Sequence, residues 1–200
     1  MRAIDQIMEN PHVYRLWQAP YAELKFAPIL AHNDLSRVRR VLDVACGPGT
    51  NARHFAGCEY LGIDSNAGCV QYARRRYKGE FLVADVTRFK VASGERFDFI
   101  LLNSFLHHVE SSAALRVLEH LRTLLSDDGH VHILDLVLPE RPCLSRFLAH
   151  IDRGKFPRRE REWLGLVTGV FKPVVFKPFR LTALGATLWQ MVYFKGRAKE

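Results

Sequence analysis

The sequence predicts an α/β fold: a doubly wound, mostly parallel sheet with an antiparallel last strand and helices on both faces. Three observations support this prediction. Short runs rich in Val, Ile and Leu alternate with segments of helical periodicity between residues 40 and 138. Strands buried on both faces have such continuous apolar runs, and parallel pairing requires crossover helices between them. Two more apolar runs lie near the C-terminus with a short turn sequence between them, which favours an antiparallel pair.

The first segment, residues 1–37, precedes the first sheet strand and has a helical pattern with aromatic residues among polar positions. We interpret it as a helical cap on the sheet. An ordinary amphipathic helix packed on the sheet edge is the alternative.

The predicted core spans residues 38–138 and contains five strands: RVLDVAC (40–46), YLGIDS (60–65), FLVADV (81–86), FDFILLNS (97–104) and HVHILDLVL (130–138). The segments TNARHFA, NAGCVQYARRRY and SSAALRVLEHLRTLL have helical character. In the last of these, Leu115, Leu118, Leu121 and Leu125 recur at three- and four-residue steps, so they are predicted to share one helix face. The sequence DDG at 127–129 is predicted to end that helix.

The remaining chain is predicted to form a helical insertion at 139–170 and a strand pair at 171–200. In the insertion, CLSRFLAHI and REREWLGLV have helical patterns, and Pro157 is expected near the first turn of the second helix. The short ALGA sequence separates the two final strands. A chain of 200 residues has room for one well-packed domain, so we assign 1–200 to a single domain.

The composition predicts a soluble, cytoplasmic protein. Apolar residues make up 48% and charged residues 25% of the chain, and no segment reaches the ~18 apolar residues of a membrane span. The N-terminus lacks the pattern of a secretory signal. The four cysteines form no C-x-x-C pair, which favours a reducing compartment over disulfides or a zinc site.

The net charge of +8 could indicate a polyanionic partner. The basic clusters are scattered and partly interrupted by glutamates, which is typical of solvated helix faces. We therefore attribute the charge mainly to solubility, and we expect neither a nucleic acid nor a membrane as a partner.

Two glycines one residue apart follow the first predicted strand. Gly47 and Gly49 would let the turn tighten and let a ligand lie against the backbone, beside the amides of the following helix start. In open parallel sheets, ligands bind beyond the carboxyl ends of the strands. The pattern G-x-G-x-x-A also fits a dinucleotide-binding fold, and a tight turn without a ligand is a third interpretation.

Carboxylates at three successive strands help to choose among these three interpretations of the glycine turn. Asp64 ends the second strand, where it could accept both hydrogen bonds from a ribose diol. Asp85 ends the third, where it could meet an adenine edge while Val86 packs on the ring. Asp43 lies inside the first strand, and a buried carboxylate there must be hydrogen-bonded, either to fix the loop or to meet a ligand ammonium.

With these residues the chain resembles the class I methyltransferases that use S-adenosylmethionine, which have a Rossmann-like sheet. VLDVACGPG, YLGIDS, FLVADV, FDFILLNSFLHHV and LRTLLSDDGHVHILD carry the resemblance across residues 38–138. It implies S-adenosylmethionine as the cofactor and a site whose residues fall into three groups. Ala45, Gly47, Gly49 and Asn103 would lie at the methionine part, Asp64 at the ribose, and Asp85 and Val86 at the adenine. We assign Asp43, Ser65 and Ser104 to the same site.

Three rival functions remain open. A nicotinamide oxidoreductase would need a second mononucleotide-binding half and a proton relay, and neither is evident. An RNA methyltransferase would share the cofactor, but strand four ends in Asn103, Ser104 and Phe105, without the Pro-Pro-aromatic sequence typical of base-amine methylation. A non-catalytic binding module is the third rival. The sequence favours methyl transfer to a small-molecule acceptor, with specialised metabolism as one setting.

Positioning can supply most of the acceleration of methyl transfer, but an oxygen or carbon acceptor must also lose a proton. His107 and His108, directly after strand four, are the candidate general bases. Both could equally be structural. The acceptor is expected to lie under an aromatic lid from the cap and the insertion, formed by Tyr14, Trp17, Tyr21, Phe147 and Trp163. We expect no metal, and either a monomer or a homodimer.

Overall fold

The structure is a computed structural model that describes residues 11–91, 94–151, 154–183 and 185–199, with side chains described from residue 21 onward except at residue 151. The strands are β1 (Arg40–Val44), β2 (Glu59–Asp64), β3 (Glu80–Val83), β4 (Phe97–Asn103), β5 (Leu125–Leu136), β6 (Phe171–Ala183) and β7 (Ala186–Ala198). The α-helices are α1 (Pro11–His32), α2 (Ala67–Arg76), α3 (Ser111–Leu124), α4 (Leu144–Ile151) and α5 (Glu160–Val170). Short 3-10 helices cover Leu35–Arg37, Thr50–Phe55 and Leu106–His108.

The seven strands form one sheet in the order β3-β2-β1-β4-β5-β7-β6. The first five strands in the chain pair in parallel, and β7 runs antiparallel to both β5 and β6. The predicted fold class, including the antiparallel end of the sheet, is confirmed. The chain reverses its direction across the sheet between β1 and β4, so the crevice beyond their carboxyl ends is the expected ligand position.

Alternate residues of the strands belong to two apolar clusters, one on each face of the sheet. Leu42 and Ile100 belong to the cluster that contains side chains of α3 and α5. Val41 and Leu101 belong to the other, which α1 joins through Phe26 and α2 joins through other side chains. Helices therefore cover both faces. In the described part of the chain, no helix is long and apolar enough to cross a membrane.

Several element boundaries differ from those predicted. Residues 50–55 form a 3-10 helix, and α3 ends at Leu124, so the DDG sequence at 127–129 lies inside β5. Leu115 is 37% exposed, because the apolar stripe of α3 runs through Ala114, Val117, Leu118, Leu121 and Leu124. Pro157 lies before the start of α5 and not in its first turn.

Candidate active site

The turn after β1 has the left-handed backbone that its glycines indicated. Gly47 has φ 53° and Gly49 has φ 77°. A Cβ atom on Gly49 would lie 2.8 Å from the Cβ of Ala73 and 2.9 Å from a ring atom of Phe81. At Gly49 the space for a side chain is therefore filled by α2 and β3, so this glycine serves the packing of the turn as well as its conformation.

Asp64, at the end of β2, joins this turn to the neighbouring strand. Its Oδ2 accepts a hydrogen bond from the backbone N–H of Gly47 at 2.8 Å, and its Oδ1 accepts one from Asn66 at 2.8 Å. Each carboxylate oxygen has a second lone pair. Asp64 thus fixes the glycine turn while retaining the capacity to accept from hydroxyl groups.

Asp43 is the buried carboxylate of β1, and it fixes the 3-10 helix that follows the turn. It accepts hydrogen bonds from the Tyr60 hydroxyl and from the side-chain amide of Asn51. Burial raises the pKa of Asp43 to about 7, against the opposing effect of these hydrogen bonds. Asn51 in turn accepts from the Asn103 amide at 3.2 Å. The network links the interior of β1 to the end of β4.

The β3 end of the site carries Asp85 and Val86. The Oδ1 of Asp85 accepts from the backbone N–H and the hydroxyl of Thr87, and these bonds lower the pKa of Asp85. Its carboxylate is therefore ionised at neutral pH. Val86 is 8% exposed and belongs to the apolar core, so it is placed to form the floor beside that carboxylate. Ser65, after Asp64, is exposed.

A pocket opens between α1, the β1 turn and the end of β4. Its lining comprises Ala22, Lys25, Ala45, Cys46, Thr50, Asn51, Arg53, His54, Asn103 and Ser104. Among the described residues, Ala45 and Ser104 are the non-glycine residues with positive φ, at 54° and 57°. Such backbone costs free energy and tends to occur at functional sites. Both residues line this pocket, which makes it the candidate functional end of the crevice.

Sequence reasoning missed Lys25, which reaches into this pocket from α1. A signal was present. Ala22, Phe26 and Ile29 follow helical periodicity, and Lys25 lies on the same face as these apolar residues. The structure places Lys25 there with 8% exposure.

Comparison with known proteins agrees with this geometry. Residues 41–129 match the family model described as a methyltransferase domain. A trans-aconitate 2-methyltransferase of Paracidovorax citrulli is 34% identical over 115 residues, which cover 53% of this chain and 42% of that protein. A malonyl-[acyl-carrier protein] O-methyltransferase of Enterobacter lignolyticus is 28% identical, with 66% of this chain and 52% of that protein covered. The chain thus spans about half or less of the length of these two curated relatives.

A solved structure of an S-adenosylmethionine-dependent methyltransferase from Methanosarcina mazei shares the fold over 86% of this chain and 98% of its own, with a TM-score of 0.69 and 19% identity. Residues 41–129 are therefore similar to a methyltransferase domain, and the chain has the fold of this solved methyltransferase.

Neither histidine proposed as a base is among the residues that line the pocket. His107 is 4% exposed, and its Nδ1 lies 2.6 Å from Asp135 Oδ1. Burial alone would raise the pKa of Asp135, but pairing with His107 and two backbone N–H donors lower it. The Gly154 backbone packs directly on the His107 ring, where a Cβ would overlap it. His108 is exposed. Asp135 and Gly154 thus hold the His107 ring outside the pocket lining.

The predicted aromatic lid needs correction at Trp163. Its side chain is fully buried, and its indole N–H donates to the Leu136 carbonyl at 2.8 Å. Trp163 belongs to the core because α5 packs on the face opposite α1. Phe147 is 61% exposed, and Tyr21 packs against a small cluster around Leu136 and Met191 beside the pocket. The predicted side chains of Tyr14 and Trp17 lie outside the described residues.

Proposed function

We propose that this chain binds S-adenosylmethionine along the carboxyl edge of the sheet and transfers its methyl group to a small-molecule acceptor. One observation carries the proposal: the Gly47 N–H donates to Asp64 at the β1–β2 edge, next to a pocket walled by two strained residues. The name of one curated relative, which refers to trans-aconitate, supports a small acceptor, and that of the other refers to a malonyl group on an acyl-carrier protein. A cytoplasmic location is part of the proposal.

The residues present fit the cofactor part by part. Asp64 would accept from the ribose hydroxyls, and Asp85 would accept from the adenine amino group while Val86 packs beside the ring. Asp43 has one buried oxygen, Oδ1, without a hydrogen-bond partner in the structure. Asp43 is fully buried and does not line the pocket, so it would act on the methionine part through Asn51, to which it is hydrogen-bonded. These acceptors suit the hydroxyl, amino and ammonium groups of a nucleoside and an amino acid.

When bound, the cofactor would supply a methyl group on a sulfonium centre, for attack by an acceptor atom in line with the S–CH₃ bond and with the sulfur as leaving group. The chain's own residues contribute positioning and exclusion of water, which can account for much of the acceleration. The Asn51–Asn103 contact fixes the two walls of the pocket relative to each other. No protein nucleophile is required by this chemistry.

The role of His107 or His108 as a base is retained only as an alternative. An oxygen or carbon acceptor that carries a proton would need one of them to move into the pocket. An acceptor that is already ionised needs no base.

Two measurements test the proposal. Isothermal titration calorimetry should show binding of S-adenosylhomocysteine and none of NAD. Transfer of a radiolabelled methyl group should then occur with a small carboxylic acid such as trans-aconitate, and not with total RNA. Tighter binding of NAD, or methyl incorporation into RNA at ~0.15 M salt, would contradict the proposal. Cofactor binding without transfer to any acceptor would indicate the non-catalytic module.

A further inference from the structure

A nearly buried lysine from α1 enters the pocket beside the end of β4. The Lys25 ammonium donates a hydrogen bond to the Ser104 hydroxyl, with Nζ and Oγ 2.9 Å apart. We propose that Lys25 and Ser104 form a carboxylate-binding subsite of this pocket. The inference rests on the proposed function, because the carboxylate belongs either to the methionine part of the cofactor or to the acceptor.

Two contacts fix the position of Lys25 relative to the site. The neighbouring Phe26 ring stacks on His54 with centroids 3.9 Å apart and planes 6° apart. Glu23 forms an ion pair with Arg53 at 2.7 Å. Both partners belong to the 3-10 helix after the glycine turn, so the helix that carries Lys25 is held directly against the loop of the cofactor site.

Ser104 is held on the opposite wall by its backbone. Its N–H donates to the Leu134 carbonyl at 2.8 Å, and its φ of 57° turns the chain sharply after β4. Ser104 Oγ also lies 3.4 Å from Asn103 Oδ1. The hydroxyl accepts from the Lys25 ammonium and donates its one proton to Asn103 Oδ1, so it would donate to a ligand oxygen by turning away from Asn103.

The charge of the lining favours an anionic ligand. The described lining contains Lys25, Arg53 and His54 and no aspartate or glutamate. The Arg53 charge is offset by Glu23. Burial, together with Arg53, lowers the pKa of His54, so this imidazole is neutral at pH 7. With Lys25 and Arg53 in the described lining, an anionic ligand would meet positive charge there, and hydrogen bonds between ammonium and carboxylate are stronger than neutral ones.

A carboxylate acceptor would also match the absence of a positioned base in the described lining. A carboxylate oxygen would form the new C–O bond with the methyl carbon, while the S–CH₃ bond breaks with its electron pair remaining on sulfur. No proton is transferred, and the products are a methyl ester and S-adenosylhomocysteine. The imidazole in the lining, His54, already accepts from Arg53 at Nε2.

The test uses Lys25→Met, which retains the apolar stem and removes the charge. Lys25→Arg serves as the charge-conserving variant and Lys78→Met, at an exposed position, as the matched control. Calorimetry measures three probes on each protein: S-adenosylhomocysteine, 5′-methylthioadenosine, which lacks the amino acid part, and citrate added to the S-adenosylhomocysteine-saturated protein. Circular dichroism confirms that each variant is folded.

If Lys25 binds the cofactor carboxylate, Lys25→Met should bind S-adenosylhomocysteine about 10- to 100-fold more weakly and methylthioadenosine unchanged. If Lys25 binds the acceptor carboxylate, Lys25→Met should bind citrate about 10- to 100-fold more weakly. Its affinities for S-adenosylhomocysteine and methylthioadenosine should then equal those of the wild type. Lys25→Arg should retain most of the affinity in either case. Equal affinities of wild type and Lys25→Met for all three probes would overturn the subsite. If wild-type protein binds no S-adenosylhomocysteine, the proposed function fails, and citrate binding to the unliganded protein then decides for or against the subsite.

Discussion

Asp64 combines a structural role in the candidate site with a proposed role in cofactor binding. It accepts from two backbone N–H groups of the site loops and is proposed to accept from the ribose as well. Asp64→Ala should weaken S-adenosylhomocysteine binding by roughly 1 to 3 kcal/mol, the usual cost of unpaired polar groups. The rate of methyl transfer at saturating cofactor should change less, because the contact is similar in the ground and transition states.

The control for Asp64→Ala is Asp127→Ala, at an exposed position of β5. Calorimetry and single-turnover rates on both variants check the prediction. Unchanged cofactor affinity in Asp64→Ala would remove Asp64 from the binding site.

The two adjacent histidines should respond differently to substitution. His107→Gln removes the imidazole that lies 2.6 Å from the buried Asp135 Oδ1, and loss of one partner of a buried polar group typically costs about 1 to 3 kcal/mol. We expect a lower urea midpoint for His107→Gln and wild-type behaviour for the exposed His108→Gln. A folded variant of either residue that loses ~10²- to 10⁴-fold in the chemical step, together with the acidic limb of its pH profile, would instead identify a general base.

At the scale of elements, the glycine turn is fixed by packing. Gly49→Ala would place a methyl group against Ala73 and Phe81 and force a left-handed backbone on alanine. We expect a loss of stability of more than about 1 kcal/mol and weaker cofactor binding. Gly57→Ala is the matched control, because nothing lies within 4 Å of its Cβ position. Urea denaturation of both variants measures the difference, and equal midpoints would contradict the packing argument.

Elements with a continuous apolar pattern could be predicted from the sequence, and contacts between them could not. The strands around Val41 and Leu101 were identifiable because both faces of the sheet are covered. By contrast, the pairing of Asp43 with Tyr60 depends on the β1–β2 register, in which Val41 lies opposite Tyr60. The burial of Trp163 depends on which face α5 covers. Both contacts depend on how the strands and helices assemble, so they could not be predicted from local sequence patterns.

At the scale of the whole molecule, buried histidines make stability depend on pH. Burial lowers the pKa of His132 far below its usual value, and burial with Lys195 and Arg197 lowers that of His130 to about 4. In the unfolded chain the histidine pKa values are ~6.5. Between about pH 6.5 and 4, these two histidines therefore bind more protons in the unfolded chain than in the folded protein. The free energy of unfolding should therefore fall as the pH drops from about 6.5 towards 4.

Asp43 opposes this trend, because its raised pKa of about 7 makes the folded state bind a proton more strongly, so its contribution to stability is lost as the pH rises through 7. His132→Gln isolates the histidine contribution. We expect a shallower decline in the free energy of unfolding from pH 6.5 to 4.5, by at most about 1.4 kcal/mol per pH unit. His150→Gln, at an exposed position, should retain the wild-type slope. Equal slopes for both variants would contradict the prediction.

The two outer strands of the sheet also limit how this protein can associate with itself. The strand β6 lies at one end of the sheet and contains Pro173 and Pro178, which have no N–H to offer a new neighbour. Lys172 and Lys177 add positive charge along the same strand. At the other end, β3 has only four residues. Strand addition by a second chain is thus disfavoured at both ends, so concentrated protein should resist fibrous aggregation, and a homodimer would form through helices or loops.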